Sequence, residues 1–286
     1  MVHHCQFDQG SFTIFRKSEL ALKTGFYDFS SDHRKRYYKQ AVSTNALVFQ
    51  DPRDPEDHGE QRNMHYQEAG SLEDYLAHKK LPPFVETGNL VAVDDPAWAT
   101  STSKNFHFVS ADVAPAWDSK KVKSYLRQVA FLDGKHLIVV DRATTAAPEI
   151  RARWLLHSIE KPEASGSAWL VRAPDSVLWV QPLLPAKAKV ALIGGPGHEC
   201  EVDGVNWTYL TTAKYKSKAA AGPDPALGLW RMEIEPAEPT AEPLFVTVLT
   251  AADPGQPAPE ASARIDGGKL TVTVGKAGVT FNKLDN

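Results

Sequence analysis

Lys269-Leu270-Thr271-Val272-Thr273-Val274 is the stretch on which the reading of the fold turns. Polar and apolar side chains alternate with a period of two, so Leu270, Val272 and Val274 share one face of a strand. Gly275-Lys276 then turns the chain into Val279-Thr280-Phe281. Asp266-Gly267 upstream sits where a hairpin turn belongs, and so does Asp133-Gly134. Working back from this end, residues 11–16, 19–25, 45–50, 89–93, 106–110, 125–132, 136–141 and 150–157 read as strands. Residues 168–172, 177–181, 190–194, 229–234 and 244–249 follow the same rule. Short strands at regular spacing, with turn residues between them, predict an all-β fold. Its expected form is a large antiparallel multi-strand β-sandwich.

Helix is scarce. Residues 71–77 form the one persuasive short helix, with Ser71 as cap and Asp74 three residues on, and Pro82-Pro83 stops it. Proline-rich stretches at 223–225, 236–243 and 254–259 read as loops. The second of these divides the chain into a main sandwich over 1–235 and, over 236–286, terminal β-strands that close the sandwich or are appended to it as a minor unit. With 286 residues, 42% of them hydrophobic and 23% charged, the chain can bury a sizeable core. A net charge of −3 leaves no basic footprint for a nucleic-acid partner. No apolar run is long enough to span a membrane. Met1-Val2 is followed by the polar run His3-His4-Cys5-Gln6, so no signal peptide is read. Cys5 and Cys200 are too few for a disulfide framework, and their pairing stays open.

Two segments carry chemistry. His3-His4-Cys5-Gln6-Phe7-Asp8 places two imidazoles and a carboxylate just ahead of a strand; residues at a chain start also serve no function in many proteins. The second segment, residues 24–52, gathers Tyr27, Tyr37, Tyr38, His33 and the cations Arg34, Lys35, Arg36 and Lys39 between two strands. Long loops of this composition often carry function. The plain alternative is that Tyr37 and Tyr38 straddle a sheet, one buried and one wet, and that the cations are a solvated edge rather than a landing site for an acidic ligand.

In order, these motifs resemble the heparinase II/III-like polysaccharide lyases. The family's His-x-His-x-Asp-x-Gly-Ser-Phe is similar to His4 through Phe12, and its Gly-x-Tyr-Asp to Gly25-Phe26-Tyr27-Asp28. Asp32-His33, Tyr37-Tyr38, Thr44-Asn45 and Asp51-Pro52 follow in the same sequence, then Gly59-Glu60-Gln61-Arg62, Ala111-Asp112, Trp154 to His157 and Gly194 to Glu199. The likeness spans roughly residues 3 to 210.

This resemblance implies the sandwich half of a two-part enzyme, with a helical toroid facing it across the substrate cleft. Such enzymes cleave acidic, uronate-containing polysaccharides by β-elimination and are usually periplasmic or exported. Carried over by position, His4, Tyr27 and Tyr38 become the catalytic candidates, and His33, Tyr37 and Arg62 the substrate contacts. Asp141-Arg142 reads as a structural ion pair and His157 as a packed core histidine. Many relatives hold a structural zinc, but its ligand positions here are Gln6, Lys23 and Thr44, so the expectation is no metal, with Lys23 supplying the charge and Gln6 and Thr44 its hydrogen bonds. Zinc takes neutral imidazole or anionic ligands, and an ammonium cannot serve. Met1 falls just ahead of the first family motif, so the helical half is expected to be missing, or supplied by a partner chain. A non-catalytic carbohydrate-binding or scaffolding domain is the competing reading.

Overall fold

Leu270, Val272 and Val274 are fully buried, while Lys269, Thr271 and Thr273 between them face solvent. This alternation is seen in a computed structural model, which describes residues 6–27, 32–55, 57–61, 88–208 and 228–284. The helix expected at 71–77 lies outside them.

In chain order the first strands are β1 (Ile14–Arg16), β2 (Ser18–Ala21), β3 (Leu47–Gln50), β4 (Asn89–Val93), β5 (Ala99–Ser101), β6 (Phe106–Asp112) and β7 (Val122–Leu132). Then come β8 (His136–Thr145), β9 (Arg151–Ser158), β10 (Glu163–Ser165), β11 (Ala168–Arg172), β12 (Val177–Leu184), β13 (Ala188–Gly194) and β14 (Glu201–Val202). The last are β15 (Val205–Asn206), β16 (Trp230–Pro236), β17 (Leu244–Ala252), β18 (Ala261–Asp266), β19 (Lys269–Val274) and β20 (Ala277–Phe281).

An eight-stranded antiparallel sheet, ordered β10-β11-β12-β17-β8-β7-β6-β4, is the middle layer. On one face Tyr125, Val139, Leu178, Val180, Phe245 and Leu249 pack against the sheet β13-β16-β9-β3 through Phe49, Trp154, Leu156, Met232 and Ile234. From the other face Phe108, Leu132, Ile138, Val140, Val246 and Val248 meet Leu270, Val272, Val279 and Phe281 of the sheet β18-β19-β20-β5. Strands covered on both sides lose their polar face, which is why Phe245 through Ala251 are buried without interruption. The all-β antiparallel sandwich is therefore present, with three layers rather than two.

Several boundaries move. β17 lies between β12 and β8, so the expected division at 236 cuts through the central sheet; the separate layer begins at β18 and borrows β5 from residues 99–101. Asp133 and Gly134 both have positive φ, 53° and 66°, and Lys135 N–H bonds to the Leu132 carbonyl; the foreseen hairpin is present, but Leu132 pairs with His136, so its loop is three residues, 133–135. At the second hairpin the left-handed pair is Gly267-Gly268, one residue later than expected, because Asp266 pairs with Lys269. Residues 19–25 do not continue as a strand. β2 ends at Ala21, and Leu22 to Tyr27 leave the sheet to build the site.

Inside the larger core sits a buried ion pair. Arg127 donates from Nε to Asp141 Oδ1 at 2.5 Å and from Nη2 to Oδ2 at 2.8 Å, and the Tyr125 hydroxyl donates to Oδ1 at 2.9 Å. The Asp141 partner is thus Arg127 across the hairpin, not its neighbour Arg142. The remaining Arg127 nitrogen, Nη1, donates to the carbonyls of Gly10 and Asn45. Removing one member of such a pair strands the other charge in the core. Asp141→Leu is therefore expected to lower unfolding free energy by about 3–5 kcal/mol. Arg127→Met/Asp141→Leu should be no worse than that single variant in urea denaturation. Additive losses in the double variant would show that the two charges do not act as a pair.

Candidate functional site

The segment leaving β2 is tied down residue by residue. Leu22 N–H bonds to the His157 carbonyl and Thr24 N–H to the Ser43 carbonyl. Asn45, wholly buried, donates from Nδ2 to the Phe12 carbonyl at 2.8 Å and the Leu22 carbonyl at 3.4 Å, while its Oδ1 accepts from His157 N–H at 2.7 Å. Gly25 adopts φ +82°, and a Cβ there would stand 3.0 Å from the His33 ring and 3.2 Å from Tyr37, so only glycine lets the loop close over them. Phe7 N–H bonds to the Lys39 carbonyl, which brings the N-terminal segment alongside.

Tyr37 and Tyr38 lie on a single π-helical turn, Arg34–Tyr38, not on a strand. The turn points Tyr37 inward and leaves Tyr38 half-buried. Tyr37 is completely buried, with its hydroxyl 2.7 Å from Thr24 Oγ1 and bonded also to Arg231. Burial, reinforced by Cys200 nearby, pushes this phenol well above its ordinary range.

His33 is likewise a strut. Its Nε2 accepts from Phe26 N–H at 2.8 Å, which makes Nδ1 the protonated nitrogen, donating to the Trp207 carbonyl at 2.5 Å. With both nitrogens engaged and 2% of its surface exposed, this imidazole is held neutral and offers nothing to a sugar. The expected substrate contacts His33 and Tyr37 are thus part of the scaffold. His157 is buried as expected, its basicity suppressed by desolvation and by Arg231.

Tyr27 and Tyr38 are brought together. Their rings meet edge to face with centroids 6.1 Å apart. A cation caps each ring: the Arg34 guanidinium carbon is 5.1 Å from the Tyr27 centroid, and Lys23 Nζ is 4.9 Å from that of Tyr38. Of the cationic run, Arg34 is thus folded inward, while Lys35 and Arg36 are exposed. The candidates His4 and Arg62 lie outside the described residues. Sequence reasoning missed Arg127 and Asn45, which hold the segments in place; an arginine on the apolar face of β7 was the available signal.

A groove of about 660 Å³ opens beside this cluster, lined in part by Phe7, Arg36 and Lys121. Asp51, Asp54, Asp57, Glu60 and Asp118 also line it, and Lys121 is bound bidentately to Asp57 at 2.8 Å. Carboxylates outnumber cations there, so this groove is the wrong sign for a polyanion.

A family model described as heparinase II/III-like, C-terminal, matches residues 1–195. The chain belongs to that family. Among solved structures, heparan sulfate lyase HepC from Pedobacter heparinus is similar at 18% identity and TM-score 0.59, over 99% of this chain and 38% of its own. A heparinase III gene product matches at 14% and 0.60 (97% and 37%), and another heparinase III at 13% and 0.58 (96% and 36%). The chain therefore spans little more than a third of the length of those structures, and at such identities the likeness is one of fold. No curated protein sequence matches.

The residues at the heparinase II/III-like zinc positions do not fit a metal. Thr44 Oγ1 is committed to the Ala41 carbonyl at 2.8 Å, and Lys23 is cationic. Among the described residues no cluster of three histidine, cysteine or carboxylate groups could hold an ion. The expected hydrogen bonds from Gln6 and Thr44 to Lys23 are not formed either: Lys23 Nζ and Gln6 Oε1 are both buried without a hydrogen-bond partner. Elemental analysis of the purified protein is expected to find no stoichiometric zinc, and one zinc per chain would overturn this assignment.

Burial lowers the Lys23 amine to about 8, with Asp8 opposing the shift. A lysine depressed on folding makes its full contribution to stability only above its unfolded value and loses it as pH falls through the folded one. Native stability is therefore expected to rise with pH between about 8 and 10.5. Lys23→Met removes the penalty and should stabilise the protein at neutral pH by roughly 1–3 kcal/mol, a gain that shrinks across that window. Urea midpoints at a series of pH values check this; a loss of stability at pH 7 would contradict it.

Proposed function

We propose that this chain is the β-sandwich half of a uronic-acid polysaccharide lyase, with Tyr27 and Tyr38 on the wall that faces substrate. The observation that carries the reading is the pair of half-buried, cation-capped phenols, Tyr27 and Tyr38, whose ring centroids stand 6.1 Å apart. β-Elimination needs a base to take the proton from the carbon next to the uronate carboxyl group. As the new double bond forms, the C–O bond breaks and the departing oxygen takes a proton from an acid. Cations and hydrogen-bond donors must neutralise the carboxylate while charge builds on it. His4, Tyr27 and Tyr38 are the candidates for the proton transfers and Arg62 for the carboxylate.

Family membership and the heparinase III-like fold support an acidic polysaccharide as ligand. The same likeness supports an exported or periplasmic setting and a helical half as the opposite wall. No helix among the described residues is long and apolar enough to cross a membrane. A non-catalytic carbohydrate-binding role is the second reading, and the immobilised His33 and Tyr37 favour it, since they reduce the groups left for chemistry.

Since these 286 residues match little more than a third of the heparinase III-like structures, tested by themselves they are expected to show no turnover of heparin, heparan sulfate, hyaluronan or alginate, followed by the ultraviolet absorbance of unsaturated uronate. Clear turnover on any of them would sink that expectation. Tyr27→Phe and His4→Ala separate the two roles: paired with a helical half, an enzyme loses rate, whereas a binder loses affinity on a glycan screen or nothing.

A further inference from the structure

Lys23 stands out among the buried charges. Its Nζ is shielded from solvent and makes no hydrogen bond, and neither Gln6 Oε1 nor His157 Nε2, also buried and without partners, reaches it. The charged and titratable groups that act on it are Asp8, from the N-terminal segment, and His157 on β9, which burial keeps neutral. Its one close aromatic contact is the ring of Tyr38 at 4.9 Å. A cation whose charged atom is shielded from water favours negative charge developing on a group about 5 Å away.

We infer that Lys23 is a positioning residue that acts through Tyr38, its ammonium stabilising the negative charge that develops on the phenolic oxygen when Tyr38 gives up its proton. The inference rests on the lyase reading for its purpose. In that reaction the Tyr38 O–H bond breaks, its proton passes to the departing glycosidic oxygen, and the electron pair stays on the phenol. The neighbouring phenol provides a comparison. Arg34 caps Tyr27 with a guanidinium that keeps its charge at every accessible pH, whereas the Lys23 amine sheds its proton near 8.

Nitration by tetranitromethane, which attacks the ionised phenol, measures the coupling without any substrate. The folded full-length chain is treated, digested, and Tyr27 and Tyr38 are quantified by peptide mass mapping. Lys23→Met is expected to slow nitration of Tyr38 by about threefold to tenfold and leave Tyr27 unchanged, and Lys23→Arg to restore it. In the unaltered protein the ratio of Tyr38 to Tyr27 nitration should fall between about pH 7 and about pH 9.5, as Lys23 loses its charge. This second measurement needs no variant, so it stands even if Lys23→Met misfolds. Equal Tyr38 rates in Lys23→Met and the parent, Tyr27 slowing together with Tyr38, or a flat ratio across that pH range would each overturn the inference. The outcome does not depend on turnover, so a coupled pair in a chain that neither binds nor cleaves glycans would reject the lyase reading while leaving the coupling intact.

Discussion

The site depends on one buried interaction, the Arg127–Asp141 pair. Both groups are almost without solvent exposure, at 4% and 0% of their side-chain surface, so each is tolerable in the core only because the other is present. The guanidinium has five N–H donors in a fixed plane, and the pair uses them on two sides. One edge is locked to the central sheet through Asp141. The other reaches the backbone carbonyls of Gly10 and Asn45, in segments with no regular structure of their own. Asn45 passes the constraint onward to Phe12, Leu22 and His157. A rigid eight-stranded sheet thereby dictates where an irregular loop stands, as a site on loops requires.

Much of this was legible. Period-two alternation located nearly every long strand, and Asp133-Gly134 marked its hairpin. The loop closes over three residues, 133–135, since Leu132 pairs with His136, and the ladder is therefore centred on Gly134. Positions 127 and 141 are both seven from Gly134, and they are indeed opposite in the ladder. A two-residue Asp-Gly turn would have set Asp141 opposite Leu126, so the sequence offered an arginine on the same face as Tyr125 and Val129 but not its partner. Short strands such as β5 and β10 carried too few residues to show a period. The division placed at 236 failed because a proline-rich loop reports only that the chain turns, not which sheet receives the next strand.

Within the site, the sequence told which residues gather and not which of them are free. His33 looked like a substrate contact because an imidazole in a loop beside tyrosines suggests chemistry. Its role is set by the Trp207 carbonyl, 174 residues away, and no local pattern announces such a contact. Tyr37 and Tyr38 could be expected to point opposite ways on a strand. They do diverge, but on a π-helical turn, where adjacent residues also separate by roughly a quarter turn and the buried one is chosen by the reach of Thr24 and Arg231.

The buried cations divide into two kinds, and the division separates scaffold from site. Arg127 is neutralised by Asp141, and Arg231 by Glu233 at 2.7 Å with a second bond to the Glu201 carbonyl. Each has the charge-assisted hydrogen bonds that make burial bearable. Lys23 has none, and its lowered basicity records the resulting penalty. Arg127 and Arg231 show that this fold can give a buried cation direct partners, whereas Lys23 is left with the more distant charge of Asp8. An ammonium without a hydrogen-bonded counter-charge is offset only by Asp8, and its nearest aromatic neighbour is the Tyr38 ring. Other buried polar atoms, Trp154 Nε1 and Arg153 Nε among them, also lack a hydrogen-bond partner; what marks Lys23 is that its ammonium lies over the ring of Tyr38, a candidate for the chemistry.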